Sequence, residues 1–144
     1  MTLKTILSVG AAALALGSLS SAPAQTPGKV DFETQVLPIF KERCFDCHQK
    51  EHTDPKTGKV KKPKGKLRMD NPELMLKGGS EGGDLTPGDA AKSTIYTSIT
   101  LPETDELAMP PEGKGDRLTK EQQDLIKQWI NEGANFGAWK GAEK

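Results

Sequence analysis

Cysteine and histidine are scarce in this chain of 144 residues: Cys44 and Cys47 are its only thiols, and His48 and His52 its only imidazoles. With so few ligating side chains, metal or redox chemistry has to be sought in one short segment. Net charge is missing as well. Twenty Lys and Arg balance twenty Asp and Glu, which removes any overall attraction to nucleic acid or to an anionic membrane. Hydrophobic residues make up only 34%, a low share for a globular chain. No segment beyond residue 24 is apolar enough to cross a bilayer. Period-two alternation, the mark of half-buried strands, is nowhere convincing. What remains is a mostly α chain with long loops. Disorder competes as a reading of low hydrophobicity, but the helix signals below and the balanced charge oppose it.

The one strongly apolar stretch lies at the start. Lys4 precedes an Ala- and Leu-rich run over residues 6–19, and Ala22-Pro23-Ala24 follows as a small-x-small cleavage site. This is the pattern of a secretory signal peptide over residues 1–24, cut before Gln25. A retained membrane anchor is the alternative. Ser8, Gly10, Gly17 and Ser18 interrupt the run, however, and it is too short to span. The mature chain of about 120 residues, enough for one domain, is therefore expected to be soluble and periplasmic or otherwise exported, with no stable membrane insertion after cleavage. Residues 25–30 read as a polar leader, 31–137 as the folded domain and 138–144 as a C-terminal tail.

Against that background stands Cys44-Phe45-Asp46-Cys47-His48, a C-x-x-C-H run in an exported chain. Two thiols three residues apart lie on one side of a helical turn, where each can add to a vinyl group of a haem, and His48 then reaches the iron. The reading is one covalent haem c, attached through Cys44 and Cys47. The shortage of apolar side chains points the same way, because a buried haem brings apolar surface of its own. A zinc site from Cys44, Cys47, His48 and His52 fits poorly, since zinc frameworks generally spread their ligand pairs across a longer loop. A redox-active cysteine pair would want a βαβ context, and none is visible.

Four helices are expected around this motif. From Asp31 as N-cap, Phe32, Val36, Leu37, Ile39, Phe40 and Cys44 follow helical spacing, with Pro38 set to kink the helix or shift its start. Asn71-Pro72-Glu73 begins a short second helix that Gly78 ends. After the Pro87-Gly88-Asp89 turn, Ile95 and Ile99 mark a third. Thr119 and Gln122 form a capping-box pair ahead of the stripe Leu125, Ile126, Trp129 and Ile130, and Gly133 stops the last helix.

His48 would occupy one axial position of the iron. For the other, Met109 leads, because Pro110 and Pro111 restrain the backbone and can hold the thioether toward the metal. Ordinary apolar packing is the competing reading of Met109. Met69 and Met75 look like packing residues, and His52, close after His48, would have to travel around the haem to ligate it. Trp129 is a candidate to pack against the haem or to donate its indole N–H to a propionate, and Arg68 a candidate to pair with a propionate through its fixed fork. Phe40, Phe45 and Tyr96 are further wall candidates, and plain core or surface service competes for each. A Met/His pair leaves no open coordination position and raises the reduction potential, which suits electron transfer.

Lys50, Lys56, Lys59, Lys61, Lys62, Lys64 and Lys66 crowd a segment punctuated by Pro55, Gly58, Pro63 and Gly65, which reads as a solvated loop. Its functional reading is a docking patch for acidic redox partner proteins. The Gly-rich run over residues 78–83 lacks a preceding strand and a G-K-[ST] ending, so it reads as a flexible connection near the haem rather than a phosphate loop.

The order of these motifs resembles the planctomycete-type cytochrome c domain, itself similar to class I c-type cytochromes. The likeness runs from Phe32 to about Phe136, through Val36-Leu37-Pro38-Ile39-Phe40, the haem motif, Leu67-Arg68-Met69-Asp70, Lys77-Gly78-Gly79, Pro87-Gly88-Asp89, Met109-Pro110-Pro111, Leu118-Thr119, Trp129-Ile130 and Gly133-Ala134. It implies a small cytochrome c-like fold of three to four helices and long loops wrapped around one covalent haem. The N-terminal helix would cross the C-terminal one, with His48 proximal and Met109 distal. Gln49 stands where the family commonly has Gly, Met69 replaces a common Leu, and the lysine-rich loop is longer than usual. The expected function is a soluble exported electron carrier, not an enzyme. The alternative is a small peroxidase-like haem enzyme or gas sensor with a displaceable distal ligand, for which no second acid–base histidine is in place.

Overall fold

The computed structural model describes residues 28–142. The expected signal peptide and the last two residues of the tail lie outside that range. Asp31 opens the first element: its carboxylate accepts the Thr34 N–H at 2.8 Å, relieving one of the donors that a helix start leaves over. A π-helical turn, Phe32–Val36, comes first and runs directly into helix α1, Leu37–Arg43. Pro38 explains the change of winding. It has no N–H to offer, and the Leu37 N–H reaches back to the Phe32 carbonyl instead. The expected disturbance at Pro38 thus takes the form of a π turn.

Two short antiparallel strands follow, β1 (His52–Thr53) and β2 (Val60–Lys61), with His52 opposite Lys61 and Thr53 opposite Val60. This hairpin corrects the reading of the lysine-rich segment as plain loop. Its turn is organised by Asp54, whose carboxylate accepts the N–H groups of Lys56 and Thr57. Lys61 ties the hairpin further, bonding Asp54 at 2.7 Å and Asp46 at 2.8 Å.

Helix α2, Pro72–Lys77, starts at Asn71, whose side chain accepts the Leu74 N–H, and stops at Gly78 with φ +78°. A 3₁₀ turn at Ala90–Lys92 leads into α3, Thr94–Thr100. The last helix, α4, spans Lys120–Asn131 and begins with the expected capping box between Thr119 and Gln122. It ends in a Schellman arrangement: the Gly133 N–H returns to Ile130 and the Ala134 N–H to Trp129, with Gly133 at φ +100°. The 87–90 turn is stitched to this end, the Gly88 N–H bonding the Ile130 carbonyl and the Ala90 N–H the Asn131 side chain.

The segment around Phe32 meets α4 and the segment after it in an aromatic cluster. The rings of Phe32 and Trp129 are 5.0 Å apart, Phe40 and Trp129 5.8 Å, and Phe136 packs on both Phe32 and Trp129. The N-terminal segment therefore docks on α4, the pairing that the resemblance implies. Ile95 and Ile99 of α3 and Ile126 and Ile130 of α4 continue the same core. Among the described residues no helix is long and apolar enough to cross a membrane.

Candidate functional site

Cys44 caps α1, its N–H bonded to the Phe40 carbonyl. The chain keeps winding beyond that point, because the N–H groups of Cys47 and His48 both return to the Cys44 carbonyl at 3.1 and 2.9 Å. The C-x-x-C-H run is thus one compact turn on the end of a helix. Both thiols are free and half-buried. Burial, and secondarily the neighbouring Cys47, pushes the Cys44 thiol up to about 12. A redox-active pair would need a thiolate, so this environment argues against that reading.

The segment 64–70 returns across the motif and holds its backbone. The Lys64 N–H bonds the Cys47 carbonyl at 2.9 Å, the Met69 N–H the His48 carbonyl at 2.7 Å, and the Lys50 N–H the Asp70 carboxylate at 3.0 Å. His48 is half-buried, and burial lowers its pKa; the backbones of Leu67 and Lys64 and the charge of Asp84 oppose this only in part. The imidazole is therefore neutral at neutral pH, the form that can donate a lone pair to a metal. Its Nδ1 is buried with no hydrogen-bond partner among the described residues.

Asp84 was not singled out in the sequence, yet it organises the neighbouring loops. One carboxylate oxygen accepts the Gly79 N–H at 2.6 Å and the other the Thr94 hydroxyl at 2.8 Å. The Gly78–Ser80 stretch is correspondingly tied down rather than a flexible connection, with the Ser80 N–H on the Gly65 carbonyl at 2.8 Å.

Of the methionines among the described residues, Met69 and Met75 are 3% and 0% exposed. Both serve as core. Met109 differs: it is half-buried at the edge of the same cluster. Its backbone is held on both sides, the N–H by the Ser98 carbonyl at 3.0 Å and the carbonyl by Arg117 at 2.7 Å. Arg117 is the second residue that sequence reasoning missed.

Two of the expected haem-pocket residues bond within the chain. The Arg68 fork grips Asp70 through two bonds of 2.7 and 2.9 Å, because the chain itself supplies a buried carboxylate two residues on. The Trp129 indole N–H also has an acceptor within the chain. That N–H donates to the Asn135 carbonyl at 2.9 Å, since the ring is 1% exposed and the nearby end of α4 provides an acceptor. His52 faces its own loop, with the Lys50 carbonyl at 3.1 Å from Nδ1. A cleft of about 480 Å³ lies between Pro72, Leu76, Pro87, Phe136 and Trp139, and no residue of the C-x-x-C-H run lines it.

Paired free thiols, a neutral imidazole with a buried nitrogen unspoken for, and a half-exposed thioether suit a covalently held haem. A domain of helices and long loops whose first helix closes in this motif has the attributes of a c-type cytochrome. The family comparison makes this specific: residues 44–113 match the family model described as Planctomycete cytochrome C. The match supports a planctomycete-type cytochrome c domain over residues 44–113, and that family implies covalent haem c and an electron-transfer role. The matched span holds the haem motif and Met109 but neither α1 nor α4. No curated protein and no solved structure matches the chain significantly.

Proposed function

We propose that the protein is an exported one-electron carrier in which Cys44 and Cys47 hold a single haem c, with His48 and Met109 as its axial ligands. The bound haem would supply the redox couple, and the loops between α1 and α4 would wrap it. The chain's own contribution is to fix both ligands and keep water away from the iron. No substrate is transformed. What supports Met109 over its rivals is that Met69 and Met75 are sealed in the core, whereas Met109 is half-exposed with its backbone bound on both sides.

Acidic redox partner proteins are proposed to dock on the hairpin next to the motif. Lys50, Lys56, Lys59, Lys64 and Lys66 are exposed there, while Lys61 is taken up by Asp46 and Asp54. The folded domain is taken as residues 31–137, following a cleaved signal at 1–24. A reductive titration of the purified, haem-matured protein followed by ultraviolet–visible spectroscopy tests the reading. One haem per chain, a low-spin spectrum and a sulfur-to-iron charge-transfer band are expected. Met109→Ala should abolish that band and lower the potential. Rapid carbon monoxide binding by the unaltered ferrous protein would instead support a haem enzyme or gas sensor.

A further inference from the structure

We propose that Arg117 is the positioning residue that keeps Met109 on the iron, by clamping the Met109 loop to the C-terminal end of α3. The inference rests on the reading of Met109 as an axial ligand. One nitrogen of the half-buried guanidinium donates to the carbonyls of Met109 at 2.7 Å and Pro110 at 3.1 Å. The other donates to those of Ile99 at 3.1 Å and Leu101 at 2.6 Å. Among the described residues the guanidinium has no carboxylate partner, so its hydrogen bonds serve backbone oxygen.

Both ends of this bridge need outside donors. A helix leaves its last carbonyls unmatched, and α3 has no basic residue in its last turn. On the other side, Pro110 and Pro111 lack N–H groups and cannot build an internal ladder that would stiffen the Met109 loop. Arg117 meets both needs with one planar fork, which the single ammonium of Lys cannot reproduce. Its own position is secured by α4, where the Gln123 side chain donates to the Ile99 and Leu118 carbonyls, each at 3.2 Å. With the Met109 N–H already on Ser98, the clamp fixes the ligand's backbone at both of its peptide groups. A thioether is a neutral, weak donor, so its occupancy of the iron depends on how far its loop is pre-organised.

The test uses the full-length, haem-matured protein with Arg117→Gln, Arg117→Lys and Met109→Ala. Added imidazole competes with Met109 for the ferric iron, and the charge-transfer band reports which one is bound. Arg117→Gln should raise the apparent imidazole affinity about ten-fold, as expected for the loss of charge-assisted hydrogen bonds, and lower the pH at which the band disappears. Haem content and helical circular dichroism should stay unchanged, and Arg117→Lys should fall between the two. If Arg117→Gln fails to fold, Arg117→Lys carries the test, and a wild-type imidazole titration in it overturns the clamp. Wild-type behaviour of the Arg117 variants beside a band lost in Met109→Ala overturns the clamp alone. A band that survives in Met109→Ala overturns the reading of the ligand on which the clamp depends.

Discussion

At position 79 there is no room for a methyl group. A Cβ would lie 2.3 Å from the Gly65 carbonyl oxygen and 3.1 Å from the Leu67 nitrogen, both backbone atoms of the segment that covers His48. Gly79→Ala should therefore cost about 1–3 kcal/mol, the range for forcing extra volume into a packed site, read as a lowered denaturation midpoint. At this scale the sequence was informative only where chemistry is local. Cys44, Cys47 and His48 declare themselves by their spacing. Arg117 and Asp84 do not, because their partners come from other parts of the chain and neither belongs to a motif. The bonds of Arg68 to Asp70 and of Trp129 to Asn135 were hidden for a related reason: a sequence names donors, but not the acceptors that folding brings near.

Among the elements, α2 and α4 were legible from their caps, since Asn71, Thr119 and Gln122 work on backbone groups within one turn. The hairpin was not, because two-residue strands leave no alternation to detect and only Asp54 and Lys61 organise it. Its stability should depend on pH. Hydrogen bonds from Lys61, then from the Lys56 and Thr57 N–H groups, hold the Asp54 carboxyl well below the usual range, against the opposing effect of burial. A folded-state pKa below the unfolded value of about 3.9 means that this contribution is fully present above about pH 4. It is lost as pH falls through the folded value. Exchange protection at the Gly58 amide, whose N–H bonds the Asp54 carbonyl, taken against the intrinsic rate at the same pH, should be high at neutral pH and fall in acid. Asp54→Asn should weaken that protection at neutral pH and flatten its dependence on acid; an unaltered acid profile would count against the carboxylate.

For the molecule as a whole, the closing contact is made by residues far apart in sequence: Phe32, 2% exposed, packs on Trp129, Phe136 and Trp139. Phe32→Ala should cost about 3–5 kcal/mol, the usual penalty for emptying a buried aromatic site, seen in thermal unfolding of the holoprotein. The order of motifs made the helical class readable, and apolar spacing marked Phe32 and Trp129 as inward-facing. Spacing alone did not show that Trp129 spends its polar edge on Asn135.

The stitching of the 87–90 turn onto the end of α4 bears on where the folding unit begins and ends. An excised fragment of residues 44–113 would strand the peptide hydrogens of Cys44, Gly88 and Ala90, whose acceptors are Phe40, Ile130 and Asn131. It would also leave the Ile99 oxygen without either Arg117 or Gln123. The stretch that carries the family signature is thus not self-sufficient, and the flanking helices complete its hydrogen bonding.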